Sequence, residues 1–384
     1  MANGPVRIGL SFDDVLLVPQ RSAVAHRGDI DTSVTLAPSI ELQVPIVSAN
    51  TPWCTEAPMA IEMARCGGLG FVHRMCTIDA QAAAIAEVKA AACDRDGFPA
   101  ASRDARGRLL VGAAVGANGD WRERAEALVA AGADLLVLDI AHGHADHALD
   151  AVDGLRCRHP ETTIVAGNVA TRQGVRDLVA AGATILKVGI GPGSVCTTRL
   201  VTGAGVPQLT AVLDCAAEAA EHGATVIADG GIRTSGDIVK ALAAGASAVM
   251  LGGLLAGASE SAGLLVEDGG EKFKVTTGFA TLGARITLKR AQNLPVSARE
   301  VSDYVPEGVE ATFPYRGPVE RVLHELVGGL RSGCSYCGVS SVRELANRAE
   351  FIQVTAAARQ ESQPHALAPG RRQLHRNFRD MVKA

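Results

Sequence analysis

The residues with the most chemistry to offer lie in one stretch, Ile185–Arg199, written ILKVGIGPGSVCTTR. It opens as a short apolar run bounded by glycine, which reads as a buried strand. It then becomes a turn built from Gly189, Gly191, Pro192 and Gly193, in which bare backbone N–H and C=O groups can lie against a ligand. Ser194 offers a hydroxyl to a phosphate. Cys196 follows at the tip, with the hydroxyls of Thr197 and Thr198 next to it and Arg199 close by. A thiol in a polar, backbone-lined loop can be held partly as thiolate and attack an electron-poor carbon. The plainer alternative is a buried, inert cysteine on a tight loop.

A second constellation lies downstream. Asp229-Gly230-Gly231-Ile232 follows an apolar run, so the carboxylate can accept both hydroxyls of a ribose while the glycines turn N–H groups toward a phosphate. Gly252-Gly253 ends the next run and completes a phosphate cradle with Ser194. Together these loops predict a mononucleotide ligand. Asp139 is followed by His142, His144 and His147, a run that lines a cofactor pocket more readily than it builds a metal site, since no ligand set at the usual spacing completes it. Cys334 and Cys337 form a CxxC; without a second pair they read as two ordinary thiols. Lys89 and the basic tail Arg371–Arg379 read as solvated surface.

Eight aliphatic runs can position these residues: Val44–Ala49, Leu69–Val72, Leu109–Val115, Leu135–Asp139, Thr163–Ala166, Ile185–Val188, Thr225–Ala228 and Ala248–Leu251. Between them lie Ala-rich stretches of helical spacing, among them Trp121–Ala131, Gln173–Ala181, Leu209–His222 and Gly236–Ala244. Three helices end on the same Ala-Gly-Ala turn, at Gly132, Gly182 and Gly245, with a new strand following. Eight such units predict an α/β protein of the (β/α)8 TIM-barrel class. An open doubly wound sheet would want GxGxxG after its first strand, and none is there. In a barrel the chemistry belongs at the C-terminal ends of the strands, where Asn50, Asp139, Asn168, Cys196, Asp229 and Gly252 all fall.

The expected organisation is a single barrel domain over residues 1–384, with residues 90–108 as a linker. After the eighth strand Leu264–Thr276 reads as a hairpin finger about Gly269-Gly270. Residues 278–317 read as a long irregular flap, giving a finger and mobile flap over 264–317. The helix Pro318–Gly329 comes next, and residues 360–384 read as a loosely held tail. A net charge of −4 gives no reason to expect nucleic acid or membrane partners. Nine scattered cysteines suit a reducing setting. The first twenty residues lack a signal-peptide pattern, and no apolar run approaches the roughly 18 residues a membrane span needs. A cytoplasmic location is expected.

With GPGSVCTTR, ADGGI and MLGG in view, the chain resembles the IMP dehydrogenase/GMP reductase family. The likeness runs from SFDDVLLVP (Ser11–Pro19) through AGNVAT (Ala166–Thr171), TGAGVPQ (Thr202–Gln208), GGIRTSGD (Gly230–Asp237) and LVGGLRSG (Leu326–Gly333) to ESQPH (Glu361–His365). The resemblance implies a (β/α)8 barrel, typically a homotetramer, acting on a purine mononucleotide with a nicotinamide dinucleotide. It implies that Cys196 attacks purine C2 and that Thr198 helps to activate the incoming or leaving group. Ser194, Asp229, Gly230, Gly231, Gly252 and Gly253 would bind ribose phosphate, with Phe279 and Ala280 near the base. Asp139, Asn168, Gly189 and Gly191 would face the nicotinamide. Carbonyls of Gly191, Gly193 and Cys196 would hold a monovalent cation, K+ by analogy with the dehydrogenases.

The two activities of the family run in opposite directions through a cysteine-linked purine. Toward reductase, using NADPH on GMP or a close analogue, lean the lack of the regulatory insert, TGAG at Thr202–Gly205, GGLLAGASES at Gly252–Ser261, and the missing Arg-Tyr pair that activates water in dehydrogenases. Toward dehydrogenase, using NAD on IMP, lean VPEGVE at Val305–Glu310, the ESQPH tail, and Leu282 where reductases keep a catalytic Glu. Thr276 replaces a phosphate-binding Tyr of the dehydrogenases. Glu307 and Arg290 are the flap residues suited to proton handling. A barrel without working flap chemistry would instead be a purine nucleotide sensor, a reading that an intact Cys196-Thr197-Thr198 opposes. The reductase is the reading preferred.

Overall fold

The computed structural model describes residues 6–277, 281–291 and 294–363. Eight parallel strands close into a barrel: β1 (Ile46–Ser48), β2 (Leu69–Val72), β3 (Val111–Val115), β4 (Leu135–Asp139), β5 (Thr163–Val169), β6 (Ile185–Val188), β7 (Thr225–Asp229) and β8 (Ala248–Leu251). Each pairs with its neighbour in sequence, and β8 closes on β1. Nearly every strand residue is buried, as expected of a sheet covered on both faces. Helices α1 (Ala57–Arg65), α2 (Ile78–Ala90), α3 (Trp121–Ala131), α4 (Asp146–Arg158), α5 (Arg172–Ala180), α6 (Gln208–Glu221) and α7 (Ser235–Ala243) form the outer layer. A hairpin of Val34–Ala37 and Ile40–Leu42 plugs the N-terminal end, where the Thr225 hydroxyl donates to the Leu36 carbonyl at 2.7 Å.

The repeated Ala-Gly-Ala turns are three copies of one hydrogen-bonded stop. The N–H groups of Gly132, Gly182 and Gly245 donate to the carbonyls of Val129, Val179 and Leu242. Those of Ala133, Ala183 and Ala246 reach back to Leu128, Leu178 and Ala241. Each helix ends with its last carbonyls satisfied and the chain turned into the next strand. At the other end, Thr234 opens α7 with a reciprocal cap in which its side chain accepts from the Asp237 N–H and Asp237 accepts from the Thr234 N–H. Thr234→Ala is expected to lower stability by about 1 kcal/mol in urea denaturation, with an unchanged slope.

The segment after β8 holds more regular structure than its sequence suggested. Strands β9 (Leu265–Asp268) and β10 (Glu271–Thr277) form the finger, turning through Gly269-Gly270, both at positive φ. Helices α8 (Leu282–Ala291) and α9 (Ala298–Asp303) stand where an irregular flap was expected. Strand β11 (Glu310–Pro314) then adds to β10 as a third strand. Its terminal proline suits an edge, which hid it in the sequence.

The last barrel helix, α10, spans Val319–Tyr336 and continues past the expected end at Gly329. The reason is packing: a Cβ on Gly329 would stand 2.1 Å from Ser235 Oγ, and one on Gly333 2.5 Å from a Val239 methyl. These glycines admit α7 and do not mark a stop. Between α2 and β3, residues 91–108 are fastened by Arg103, whose guanidinium donates to the carbonyls of Cys93, Asp94 and Phe98. Lys89 overturns its reading as solvated surface. It is 8% exposed, and its ammonium donates to Asp134 at 2.6 Å, to Asp104 at 3.1 Å and to the Leu109 carbonyl at 2.8 Å. No helix among the described residues is long and apolar enough to cross a membrane.

Candidate active site

The C-terminal ends of β6, β7 and β8 converge around a cavity of about 580 Å³. Its lining includes Ser194, Asp229, Gly230, Gly231, Gly252 and Gly253. The loops touch: a Cβ on Gly253 would lie 3.0 Å from Ser194 Oγ, and one on Gly230 3.0 Å from the Pro192 ring. Thr276 of the finger and Phe313 of β11 close the outer wall. The expected phosphate and ribose residues are therefore brought together. Phe279 and Ala280 lie outside the described residues.

The cavity reaches Val195, one residue short of the thiol. Cys196 is half-buried, and its Sγ–H points at Thr198 Oγ1 across 3.2 Å. Thr198 begins a short helix, Thr198–Thr202, that holds the hydroxyl in place. Arg199 sits close enough for the two charges to interact, but its guanidinium is spent on the loop itself. It donates to the Ile190 carbonyl at 2.9 Å and the Val206 carbonyl at 2.6 Å. Burial pushes the Arg199 pKa down, and a charge on Cys196 pushes it back up. The arginine thus ties the two ends of the Cys loop together.

The flap reaches this loop through its backbone. The Thr197 N–H donates to the Glu307 carbonyl at 2.8 Å, and the Val309 N–H to the Val195 carbonyl at 2.9 Å. Cys196 and Gly308 form an antiparallel bridge. Glu307 is thereby placed beside the Cys196 loop, whereas Arg290 lies on α8 with no such backbone tie among the described residues.

The residues expected to face the nicotinamide divide into two groups. Asp139, at the end of β4, is buried and paired with Arg74 from the end of β2, Nε to Oδ2 at 3.2 Å. Asn168 and Gly189 lie instead under the β7 aspartate. The Asn168 amide donates to the Gly189 carbonyl at 2.6 Å and to Asp229 Oδ2 at 3.0 Å. Gly189 is required there, since a Cβ would stand 2.1 Å from the Asp229 carbonyl. In the loop expected to hold a cation, the Gly193 carbonyl accepts the Cys196 N–H at 3.1 Å.

Elsewhere, His144 is bound to Asp177 at 2.7 Å and holds that carboxyl below its usual range. Cys334 and Cys337 are buried in and just after α10, and burial pushes the Cys334 thiol up to about 12. Both behave as core thiols.

The model for the IMP dehydrogenase / GMP reductase domain matches residues 9–365. The chain belongs to this family. It is 38% identical to the inosine-5'-monophosphate dehydrogenase of Nitrosopumilus maritimus, over 93% of this chain and 98% of that protein. It is 37% identical to the GMP reductase of Leishmania major, over 94% and 97%. Among solved structures it superposes on a cysteine-to-alanine GMP reductase from Trypanosoma brucei in complex with guanosine 5'-monophosphate, with a TM-score of 0.87 and 35% identity. That match covers 94% of this chain and 99% of the other. Relatives of both activities align over more positions than this chain has residues, 466 and 481 against 384. The missing insert therefore does not separate reductase from dehydrogenase within the family.

Two site residues were not found from sequence, Arg74 and Lys187. Lys187 lies mid-strand in β6, 4% exposed, with its ammonium 2.7 Å from Asp229 Oδ2. The available signal was a lysine inside a run otherwise suited to a strand buried on both faces, where an ion must be paired.

Proposed function

We propose that this chain carries out NADPH-dependent reductive deamination of GMP, or a close analogue, to IMP and ammonia. The observation that carries this reading is the lack of the Arg-Tyr water activator in the flap that docks its backbone against the Cys196 loop. Further support comes from the Leishmania and Trypanosoma reductases, the latter a cysteine-to-alanine variant that holds GMP.

In this mechanism Cys196 Sγ bonds to purine C2 as the C2=N3 double bond opens and the thiol proton passes to N3. Glu307 or Thr198 delivers a proton to the 2-amino group, which leaves as ammonia and takes its bonding electrons with it. When bound, the nicotinamide supplies a hydride for C2. The C–S bond then breaks, and Cys196 departs as thiolate with the electron pair. Overall, GMP, NADPH and two protons give IMP, NADP+ and ammonium. Ser194, Gly231, Gly252 and Gly253 hold the phosphate, and Asp229 the ribose.

The cofactor fits the opposite side of the barrel mouth, where the Arg74–Asp139 pair supplies a cation and a carboxylate for a polar nicotinamide nucleotide. The carbonyls of Gly191, Gly193 and Cys196 suit a hard monovalent cation such as K+.

A second reading, NAD-dependent oxidation of IMP to XMP, is favoured by VPEGVE on the flap and by dehydrogenase relatives as similar as the reductases. Following the near-ultraviolet absorbance of the reduced nicotinamide decides between them. A fall with GMP and NADPH, with IMP and ammonia formed, supports the reductase; a rise with IMP and NAD supports the dehydrogenase. Silence in both, with nucleotide bound, would leave a modified purine substrate or the sensor. Glu307→Gln is expected to cut kcat by about 10²–10⁴-fold and flatten one limb of its pH profile. An unchanged kcat would remove Glu307 from the proton transfer.

A further inference from the structure

We propose that Lys187 is a positioning residue for the nucleotide's ribose: with Asn168 it fixes Asp229 so that one carboxylate oxygen alone is left to meet the sugar. This rests on the nucleotide reading above and adds to it the residue on which recognition of the ribose depends.

Lys187 enters from β6, Asn168 from β5 and Asp229 from β7, so three adjacent strands each contribute one polar side chain to the top of an apolar barrel. The Lys187 ammonium donates to Asp229 Oδ2 at 2.7 Å and also bonds Asn168 Oδ1. The Asn168 Nδ2 donates to the same Asp229 oxygen at 3.0 Å and to the Gly189 carbonyl at 2.6 Å. The orientation of the Asn168 amide follows, since its oxygen must face the ammonium and its nitrogen the two acceptors. Both donors go to Oδ2. Oδ1 is the oxygen left on a residue that lines the nucleotide cavity.

The aspartate is held at its main chain as well. The Gln208 amide donates to the Asp229 carbonyl at 3.1 Å and to the Val188 carbonyl at 2.9 Å. Backbone and side chain are thus both fixed before any nucleotide arrives. A carboxylate with one oxygen clamped by an ammonium and an amide cannot swing away to solvent, so its free oxygen accepts ribose hydroxyls at little ordering cost. Lys187 is 5% exposed at its side chain and Asp229 20%, so the cation lies inside and the carboxylate stands between it and the cavity. Lys187 acts on the sugar through Asp229.

The test is calorimetric binding of GMP and 2'-deoxy-GMP to the full chain and to Lys187→Met. The parent protein is expected to prefer GMP by at least about tenfold, as expected of a hydrogen bond to a charged group. In Lys187→Met, affinity for GMP should fall roughly 10- to 100-fold while that for 2'-deoxy-GMP, which keeps the 3'-hydroxyl alone, falls clearly less, so the preference shrinks. Asn168→Ala removes one of the two donors and should erode the same preference by less. It decides the matter if Lys187→Met does not fold. Equal weakening of both nucleotides, or an unchanged preference in a folded variant, would overturn the positioning role. Parent protein that binds GMP without preferring it to the deoxy form would do the same. Parent protein that binds neither GMP nor IMP would instead overturn the nucleotide reading and this role with it.

Discussion

Replacing Cys196 by alanine is expected to abolish turnover, by about four orders of magnitude or more, while nucleotide affinity stays within a few-fold of the parent. The two halves of this expectation come from different parts of the site. The cavity proposed to hold phosphate and ribose is lined by Ser194, Asp229 and the glycines after β7 and β8, and Cys196 is not among its lining residues. Removing one sulfur leaves those contacts intact. Chemistry has no comparable substitute. The Thr198 hydroxyl lies 3.2 Å from Sγ but is a far weaker nucleophile than a thiol at neutral pH. Cys54, the cysteine that lines the cavity, cannot stand in, because it is buried and its thiol is pushed up to about 11. Steady-state rates with GMP and NADPH, beside calorimetric titration with GMP, check both halves. Turnover retained in the alanine variant would mean that no covalent bond to Cys196 forms. Binding lost along with turnover would mean that the loop is a binding element first.

The barrel was legible because its signals are local. An apolar run bounded by Ala-Gly-Ala is a strand after a capped helix, and four of the eight strands have the bounds their sequence predicts, from Leu69–Val72 to Ala248–Leu251. Strand β5 runs on to Val169 because Gly167-Asn168, which looks like a turn, lies inside a strand whose register shifts there. The glycine loops of the site were legible for the same local reason. The buried lysines were not. Lys187 meets Asp229 42 residues away, and Lys89 meets Asp134 45 residues away; only the closed barrel and its outer helices bring those pairs together. Asn168 was placed on the nicotinamide side by resemblance, yet its amide bonds are with Asp229 and Gly189. The flap helices and β11 were hidden by glycines, prolines and polar residues that tertiary contacts override.

Lys89→Ala is expected to cost about 3–5 kcal/mol of stability at neutral pH, enough to threaten the fold, although the residue lies on an outer helix. The ammonium faces two carboxylates and a carbonyl, all largely withdrawn from water: Asp134 and Asp104 keep only 15% and 12% side-chain exposure. Asp104 has a second cation in Arg108, but for Asp134 the lysine is the cation that opposes burial. Burial already raises the Asp134 pKa, with Lys89 pulling it down. Without the lysine it rises further. A carboxyl whose folded pKa exceeds its unfolded value penalises the fold above that folded value and ceases to do so once pH falls below both. The deficit of Lys89→Ala should therefore be largest near neutral pH and shrink as pH is lowered toward 5. Asp134→Asn in the same background should recover part of it at neutral pH, because a neutral amide needs no counter-charge and can still accept the Val111 N–H now donated to Asp134 at 2.8 Å. Urea denaturation of the parent, the single and the double variant at two pH values tests this. Equal deficits at both, with no recovery in the double variant, would mean that Lys89 contributes its buried hydrocarbon stem alone.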